Sequence, residues 1–358
     1  MTGPKPEALV RPEILAAEPY QVQAAGDCIK LDAMEAPAGL PADLLPAWHE
    51  KLTQVAWHRY PDGAASEVAE GLRRIFSIGD HQSLLLGNGS DEIIQMLALA
   101  MARPGARMLT VAPGFAIFRL AARTAGMDCT EVDLDPRDFS LDRERILEAL
   151  AERQPALTFI ANPNNPTGNL FPRELLLEIA EASPGLLVVD EAYFPYTDES
   201  LLDRAGRPSN LVVLRTLSKA GMAGLRLGWL IGAPEWIEAL DRIRMPYNIN
   251  ALTQAAVSFA LDHPQWWREM TVQVRAARAA MYHELVTMPG VTVWPSEANF
   301  LLVRVSQARA VHAALREAGV LVKCLDGQHP GLEDCLRLTV GTPEENQAML
   351  QALGRILR

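Results

Sequence analysis

From Ser83 to Gly232 the chain repeats one pattern, in which an apolar run of strand length gives way to a polar turn and a helix-like stretch. The runs are SLLL (83–86), RMLTV (107–111), CTEVDL (129–134), ALTFIA (156–161), LLVVD (186–190), LVVLRT (211–216) and GWLIG (228–232). Stretches such as SDEIIQMLALAMA and PRELLLEIAEA lie between them. Apolar runs without polar alternation are buried on both faces, which is how a mostly parallel sheet covered by helices reads. The pattern predicts an α/β fold. Beyond Tyr247 it changes to long helices, ALTQAAVSFAL and WWREMTVQVRAARAAMYHELV, then to FLLVRV, VLVKCL and CLRLTV, and closes on PEENQAMLQALGRIL. That reads as a smaller α+β domain completed by N-terminal residues. The expected division is a large domain over 46–250 and a small one formed by 1–45 with 251–358.

Composition bounds what such a fold can serve. The chain has 358 residues, 49% of them hydrophobic, and single cores seldom grow past roughly 250–300 residues, so two domains are expected. A net charge of −11 over well-mixed acidic and basic residues speaks against nucleic acid or an anionic membrane and for a small-molecule ligand. Cys28, Cys129, Cys324 and Cys335 lack metal-type spacing, so the expectation is reduced thiols in a cytoplasmic protein and no metal site. The N-terminal MTGPKPEALVRPEI has no apolar signal core, and no later apolar run approaches a membrane span.

In open parallel sheets ligands sit beyond the carboxyl ends of the strands, so the residues that follow each run belong together. They are GNGSDE, APGF, NPNNPTG, DEAY and TLSK, in chain order. Each alone is an ordinary turn or helix cap, since Gly and Asn tolerate positive φ and Ser and Asp cap helices. Independent turns have no reason to carry an aromatic ring, an asparagine, an aspartate, a tyrosine and a lysine at successive strand ends. In VVLRTLSKAGMAGLRLGWLIG, Lys219 and Arg226 stand among small and apolar residues. Their flanks predict burial, where an unpaired charge costs several kcal/mol, so a bound anionic group is expected there.

NPNNPTG, VVDEAY and LRTLSKAGMAGLRLG, in this order, resemble the pyridoxal-phosphate-dependent aminotransferases of fold type I. RYPD (59–62), GNGSDEII (87–94), SEANFLLV (296–303) and CLRLTVGTPEEN (335–346) narrow the resemblance to the histidinol-phosphate aminotransferase branch. It covers nearly the whole chain. The resemblance implies the fold type I arrangement, a mostly parallel central sheet in a large domain with a smaller α+β domain, and pyridoxal 5′-phosphate as cofactor. It implies that Lys219 bonds the cofactor aldehyde and moves the Cα proton, and that Asp190 pairs with the pyridine nitrogen. Asn165 and Tyr193 would hydrogen-bond the ring oxygen, while Phe115 would stack on the ring where many relatives carry tyrosine. Arg226, Ser218, Thr216 and the amides of Ser90 and Asp91 would surround the cofactor phosphate. Tyr60 would reach the phosphate of a neighbouring subunit, which implies a homodimer.

For substrates the same resemblance implies an amino donor and a keto-acid acceptor. Arg337 would receive the substrate carboxylate or the phosphate of histidinol phosphate, with Lys323, Asn165, Tyr20 and Glu35 beside it. The chain departs from the branch in three places. AMEAP stands where an asparagine-rich segment is usual, Lys323 stands for an arginine, and the interval from Lys219 to Arg226 is one residue short, which predicts a tighter path. The expected reaction is transamination between histidinol phosphate and 2-oxoglutarate, in histidine biosynthesis. An aromatic amino-acid aminotransferase would share every cofactor residue, as would a decarboxylase or lyase acting on a phosphorylated amino acid. A non-catalytic module would be favoured by loss of the lysine or aspartate, and both are present.

Overall fold

The computed structural model describes residues 3–17, 19 and 23–358; Tyr20 lies outside the described residues. Twelve strands are found among them: β1 (Ile29–Leu31), β2 (Ser83–Asn88), β3 (Arg107–Ala112), β4 (Asp128–Asp133), β5 (Leu157–Ala161), β6 (Leu186–Asp190), β7 (Leu211–Thr216), β8 (Leu227–Gly232), β9 (Val291–Val293), β10 (Phe300–Val305), β11 (Val320–Cys324) and β12 (Cys335–Thr339). The seven apolar runs of the first part are β2 to β8, shifted at their ends by one or two residues.

These seven strands form one sheet in the order β2-β8-β7-β6-β5-β3-β4. Every residue of β5, β6, β7 and β8 is buried, which is why these segments carry almost no polar alternation. All neighbours are parallel except at β8, which runs antiparallel to both β2 and β7. That one reversal matters for the site. The start of β8 lies at the edge where β2, β6 and β7 end, so a residue that precedes β8 meets residues that follow the others.

Helices Ser90–Met101 and Ala116–Ala125 follow β2 and β3 and cover the sheet through Ile93, Ile94, Leu97, Phe118 and Ala122. A second sheet has the order β1-β11-β12-β10-β9, parallel between β1 and β11 and antiparallel elsewhere. The N-terminal strand β1 is only three residues long, yet it sets Leu31 beside Val322. The last helix, Pro343–Ile356, starts on a reciprocal cap in which Thr342 accepts from the Glu345 amide and the Glu345 carboxylate accepts from the Thr342 amide. No helix among the described residues is long and apolar enough to cross a membrane.

Candidate active site

The residues that follow β2, β5, β6 and β7 and precede β8 gather at one edge of the large sheet. β2 ends in Asn88, and Gly89 turns the chain at φ 80° into the helix that begins at Ser90. No side chain caps this helix start, so its first amides are open. The Arg226 guanidinium lies against Gly89, where a Cβ would stand 2.5 Å from Nη2. Arg226 donates to Asp91 at 3.3 Å and to Ser218 Oγ at 3.4 Å, and Ser218 Oγ sits 2.9 Å from Thr216 Oγ1. Glycine at 89 is therefore required twice, by its backbone angle and by the arginine.

Arg226 corrects one expectation. It is exposed, not buried, and its side chain is already paired with Asp91. The apolar pattern around it belongs to β7, β8 and the buried Leu217, Ala220 and Met222 of the link between them, while the end of that link, through the 3₁₀ turn Ala223–Leu225 that follows the turn Leu217–Lys219, brings Gly224 and Arg226 to the surface. These turns are tighter than α-helical ones and fit the short interval. They leave Arg226 in the left-handed region at φ 51°, an angle a non-glycine residue adopts at some cost.

Asp190 ends β6 and is 3% exposed, with Oδ1 accepting from the Ala192 amide at 3.0 Å. No cation forms an ion pair with it among the described residues. Burial pushes its carboxyl up to about 7. Lys219 is half-buried, donates to the Ala33 carbonyl at 3.2 Å and lies 6.0 Å from the centre of the Tyr193 ring. Burial, and after it the positive charge of Arg337, bring its ammonium down to about 8. Arg337 on β12 is buried and donates through Nη1 to Asn165 Oδ1 at 2.7 Å and through Nη2 to the Asp32 carbonyl at 2.8 Å. The two sheets thus meet at Asn165. Tyr193 packs edge-on against Phe300 at 5.2 Å.

Of these groups, Lys219 and Arg337 open on a cavity of about 520 Å³, while Asp190, Asn165 and Tyr193 do not line it. Phe115, Asp91, Lys219, Lys323 and Arg337 line it, as do Ile117, Leu120 and Ala121 of helix Ala116–Ala125 and Lys30, Asp32 and Met34 of the N-terminal segment. Glu35 does not line it and is exposed, joined to the cavity only through an ion pair with Lys30. Tyr60 stands apart, 82% exposed and stacked on Tyr247 at 4.6 Å.

Several contributors escaped the reading of the sequence. Three successive carbonyls cross the site, with Asp32 accepting from Arg337, Ala33 from Lys219 and Met34 from Asn299. The Tyr196 hydroxyl donates to the Lys219 carbonyl at 2.5 Å and so fixes the backbone that carries the lysine. Glu191 and Arg215, inside motifs singled out for other residues, form a buried ion pair at 2.7 Å that Ser200 completes. The adjacency of Glu191 to Asp190 and of Arg215 to Thr216 was the available signal. Alternating side chains on a strand point to opposite faces, so each neighbour supports the layer behind the site.

A mostly parallel seven-stranded sheet with one reversed strand and a lysine at its carboxyl edge, joined to a small mixed sheet, is the fold type I architecture. The chain belongs to the class I and II aminotransferases, whose pattern matches residues 26–353, and is accordingly a pyridoxal-phosphate-dependent transaminase. It is similar to histidinol-phosphate aminotransferase 2 of Nitrosococcus oceani, 47% identical over 355 residues that cover 99% of this chain and 98% of that protein. It is also similar to the histidinol-phosphate aminotransferase of Chromobacterium violaceum, 45% identical over 349 residues and 98% of both chains. Among solved structures, the histidinol-phosphate aminotransferase of Sinorhizobium meliloti in complex with pyridoxal-5′-phosphate matches with a TM-score of 0.88 at 24% identity, over 98% of both chains. L-threonine-O-3-phosphate decarboxylase of Porphyromonas gingivalis matches at 0.77 and 24% identity, over 92% of this chain and 99% of that one. The fold alone therefore does not choose between transamination and decarboxylation.

Proposed function

We propose that the enzyme transfers the amino group of histidinol phosphate to 2-oxoglutarate, giving imidazole-acetol phosphate and glutamate, as a cytoplasmic homodimer serving histidine biosynthesis. One observation carries the reading beyond the names of its relatives. The cavity is lined by four basic side chains, Lys30, Lys219, Lys323 and Arg337, against two acidic ones, Asp32 and Asp91, in a chain of net charge −11. A locally positive cleft in an acidic protein concentrates small anions. Its apolar wall of Ile117, Leu120 and Ala121 suits the imidazole.

The residues present fit pyridoxal phosphate. Arg226 over Gly89, the hydroxyls of Ser218 and Thr216 and the open amides of Ser90 and Asp91 form a cradle for a phosphate. Asp190, buried and without an ion-pair partner among the described residues, suits a protonated ring nitrogen. When bound, the cofactor supplies an aldehyde for the amine and a ring that accepts the electron pair left when Cα loses its proton. Asp190 keeps the ring nitrogen protonated. Lys219, its ammonium brought down to about 8, can shed its proton near neutral pH and then take one from Cα, so a single residue anchors and carries. Asn165 and Tyr193 would hold the ring oxygen and Phe115 would pack against the ring. Tyr60, exposed in one protomer, serves the cofactor phosphate of its partner. In this reading the large domain over 46–250 holds the cofactor and the apolar wall, and the small domain over 1–45 with 251–358 brings Lys30, Lys323 and Arg337 to the substrates.

Arg337 and Lys323, cross-strand partners on β12 and β11, receive the donor phosphate and the carboxylates of glutamate and 2-oxoglutarate. A charge-assisted contact contributes about 1.5–3 kcal/mol, so Arg337→Ala should lower kcat/KM by roughly ten- to a hundredfold for histidinol phosphate and for glutamate alike. Lys323→Ala should penalise histidinol phosphate more than phenylalanine, and Lys323→Arg should be tolerated, since the guanidinium adds a bidentate fork. Steady-state kinetics with each donor decide the matter. A wild type that prefers phenylalanine, or a ratio of donors unchanged by Lys323→Ala, would replace this reading with a broad aromatic aminotransferase.

A further inference from the structure

Lys30 was singled out by no motif, yet it lines the same cavity as Lys323 and Arg337. Register explains how. Lys323 is paired with Arg337, and Leu31 with Val322, so Asp32 follows on the β1 side of Lys323. Side chains two residues apart on an extended chain share a face, so Lys30 turns the same way as Asp32. Arg337 and Lys323 therefore stand directly across from each other on β12 and β11, and Lys30, opposite Leu321, lies diagonally from Lys323 on β1, so the three form a staggered row of cations on one face of strands about 4.8 Å apart.

The ends of the row are held differently. Arg337 is buried and fixed by Asn165 and the Asp32 carbonyl. Lys30 is held by two carboxylates, the largely buried Asp32 at 3.3 Å and the exposed Glu35. In an amino acid the carboxylate carbon is bonded directly to Cα. In histidinol phosphate a CH₂–O unit intervenes, and phosphorus lies three bonds out. A group that begins where Arg337 receives a carboxylate must therefore carry its phosphate toward the outer cations, and a dianion calls for more than one of them.

Resting on the proposed donor, we infer that Lys30 is a specificity residue that binds the donor phosphate and exchanges Glu35 for it, while Asp32 keeps the ammonium turned into the cavity. Glu35 occupies Lys30 when the donor is absent. Its carboxylate is exposed and returns to water at little cost, which makes it the partner that leaves. The carboxylates of glutamate and 2-oxoglutarate are served by Arg337 and Lys323 and do not require Lys30.

The test compares histidinol phosphate with unphosphorylated histidinol and with glutamate, using the holoenzyme as wild type, Lys30→Gln, Lys30→Arg and Glu35→Gln, with thermal midpoints as a check of folding. Lys30 is partly exposed, so the screened contact should be modest. Lys30→Gln should raise KM for histidinol phosphate roughly three- to tenfold with kcat nearly unchanged, leave histidinol and glutamate within about twofold, and be largely rescued by Lys30→Arg. Glu35→Gln should lower KM for histidinol phosphate. The inference fails if Lys30→Gln affects phosphorylated and unphosphorylated donors equally, or if Glu35→Gln raises KM for the phosphorylated one. A wild type that does not turn over histidinol phosphate fails the donor assignment itself, and this inference with it.

Discussion

Lys219→Ala is expected to yield a folded protein that still takes up pyridoxal phosphate but turns over almost nothing. The two halves of that expectation have separate origins. Uptake depends on the phosphate cradle of Arg226, Ser218, Thr216 and the open start of helix Ser90–Met101, none of which hydrogen-bonds the lysine ammonium among the described residues. Turnover needs a base at Cα, and general base catalysis alone contributes roughly 10²–10⁴-fold, before the loss of the covalent anchor is counted. Among the described residues Nζ hydrogen-bonds the Ala33 carbonyl alone, so folding should suffer little. Absorbance should lack the band of lysine-bound cofactor, and the half-reaction with the donor should slow by at least the range above. Near-normal turnover, with the substitution verified by mass, would overturn the role assigned to Lys219.

Asp190→Asn should separate binding from chemistry. The substitution keeps the shape of the side chain and removes the charge that holds the ring nitrogen protonated. The carboxylate is desolvated at the end of β6 and held up to about 7, so part of what it gains on pairing with the ring is offset by burial already present. Cofactor affinity should therefore fall by less than about tenfold, whereas loss of transition-state charge stabilisation should slow the half-reaction by about 10²–10³-fold. Equal losses in affinity and rate would mean that Asp190 serves packing alone.

What could be read from the sequence follows from where side chains must carry the information. Strands β5 to β8 are buried throughout, so their apolar runs are nearly continuous and stand out. Groups with a chemical task, such as Asp190 and Lys219, interrupt those runs and stand out for the same reason. The order of the strands and the reversal of β8 leave no such trace, because a buried strand reads the same in either direction. The exposure of Arg226 leaves no trace either, since its apolar neighbours are buried while the turn Ala223–Leu225 lifts its side chain to the surface.

Backbone acceptors are the hardest to see. The carbonyls of Asp32, Ala33 and Met34 hold Arg337, Lys219 and Asn299, and no residue type is required of them. Lys30 stayed hidden because β1 has three residues, too few for a periodic signal, and its place diagonal to Lys323 is a matter of register between segments almost three hundred positions apart.

Amino transfer from histidinol phosphate is tested most directly by mixing that donor with the purified holoenzyme in the absence of any keto acid. Histidinol phosphate has no carboxylate, so a decarboxylase of this fold has no bond to break in it. The expected result is a single turnover in which the lysine-bound absorbance is replaced by that of the amine form of the cofactor, one imidazole-acetol phosphate appears per site, and 2-oxoglutarate then restores the starting spectrum with release of glutamate. A spectrum unmoved by histidinol phosphate and fully converted by phenylalanine would contradict it.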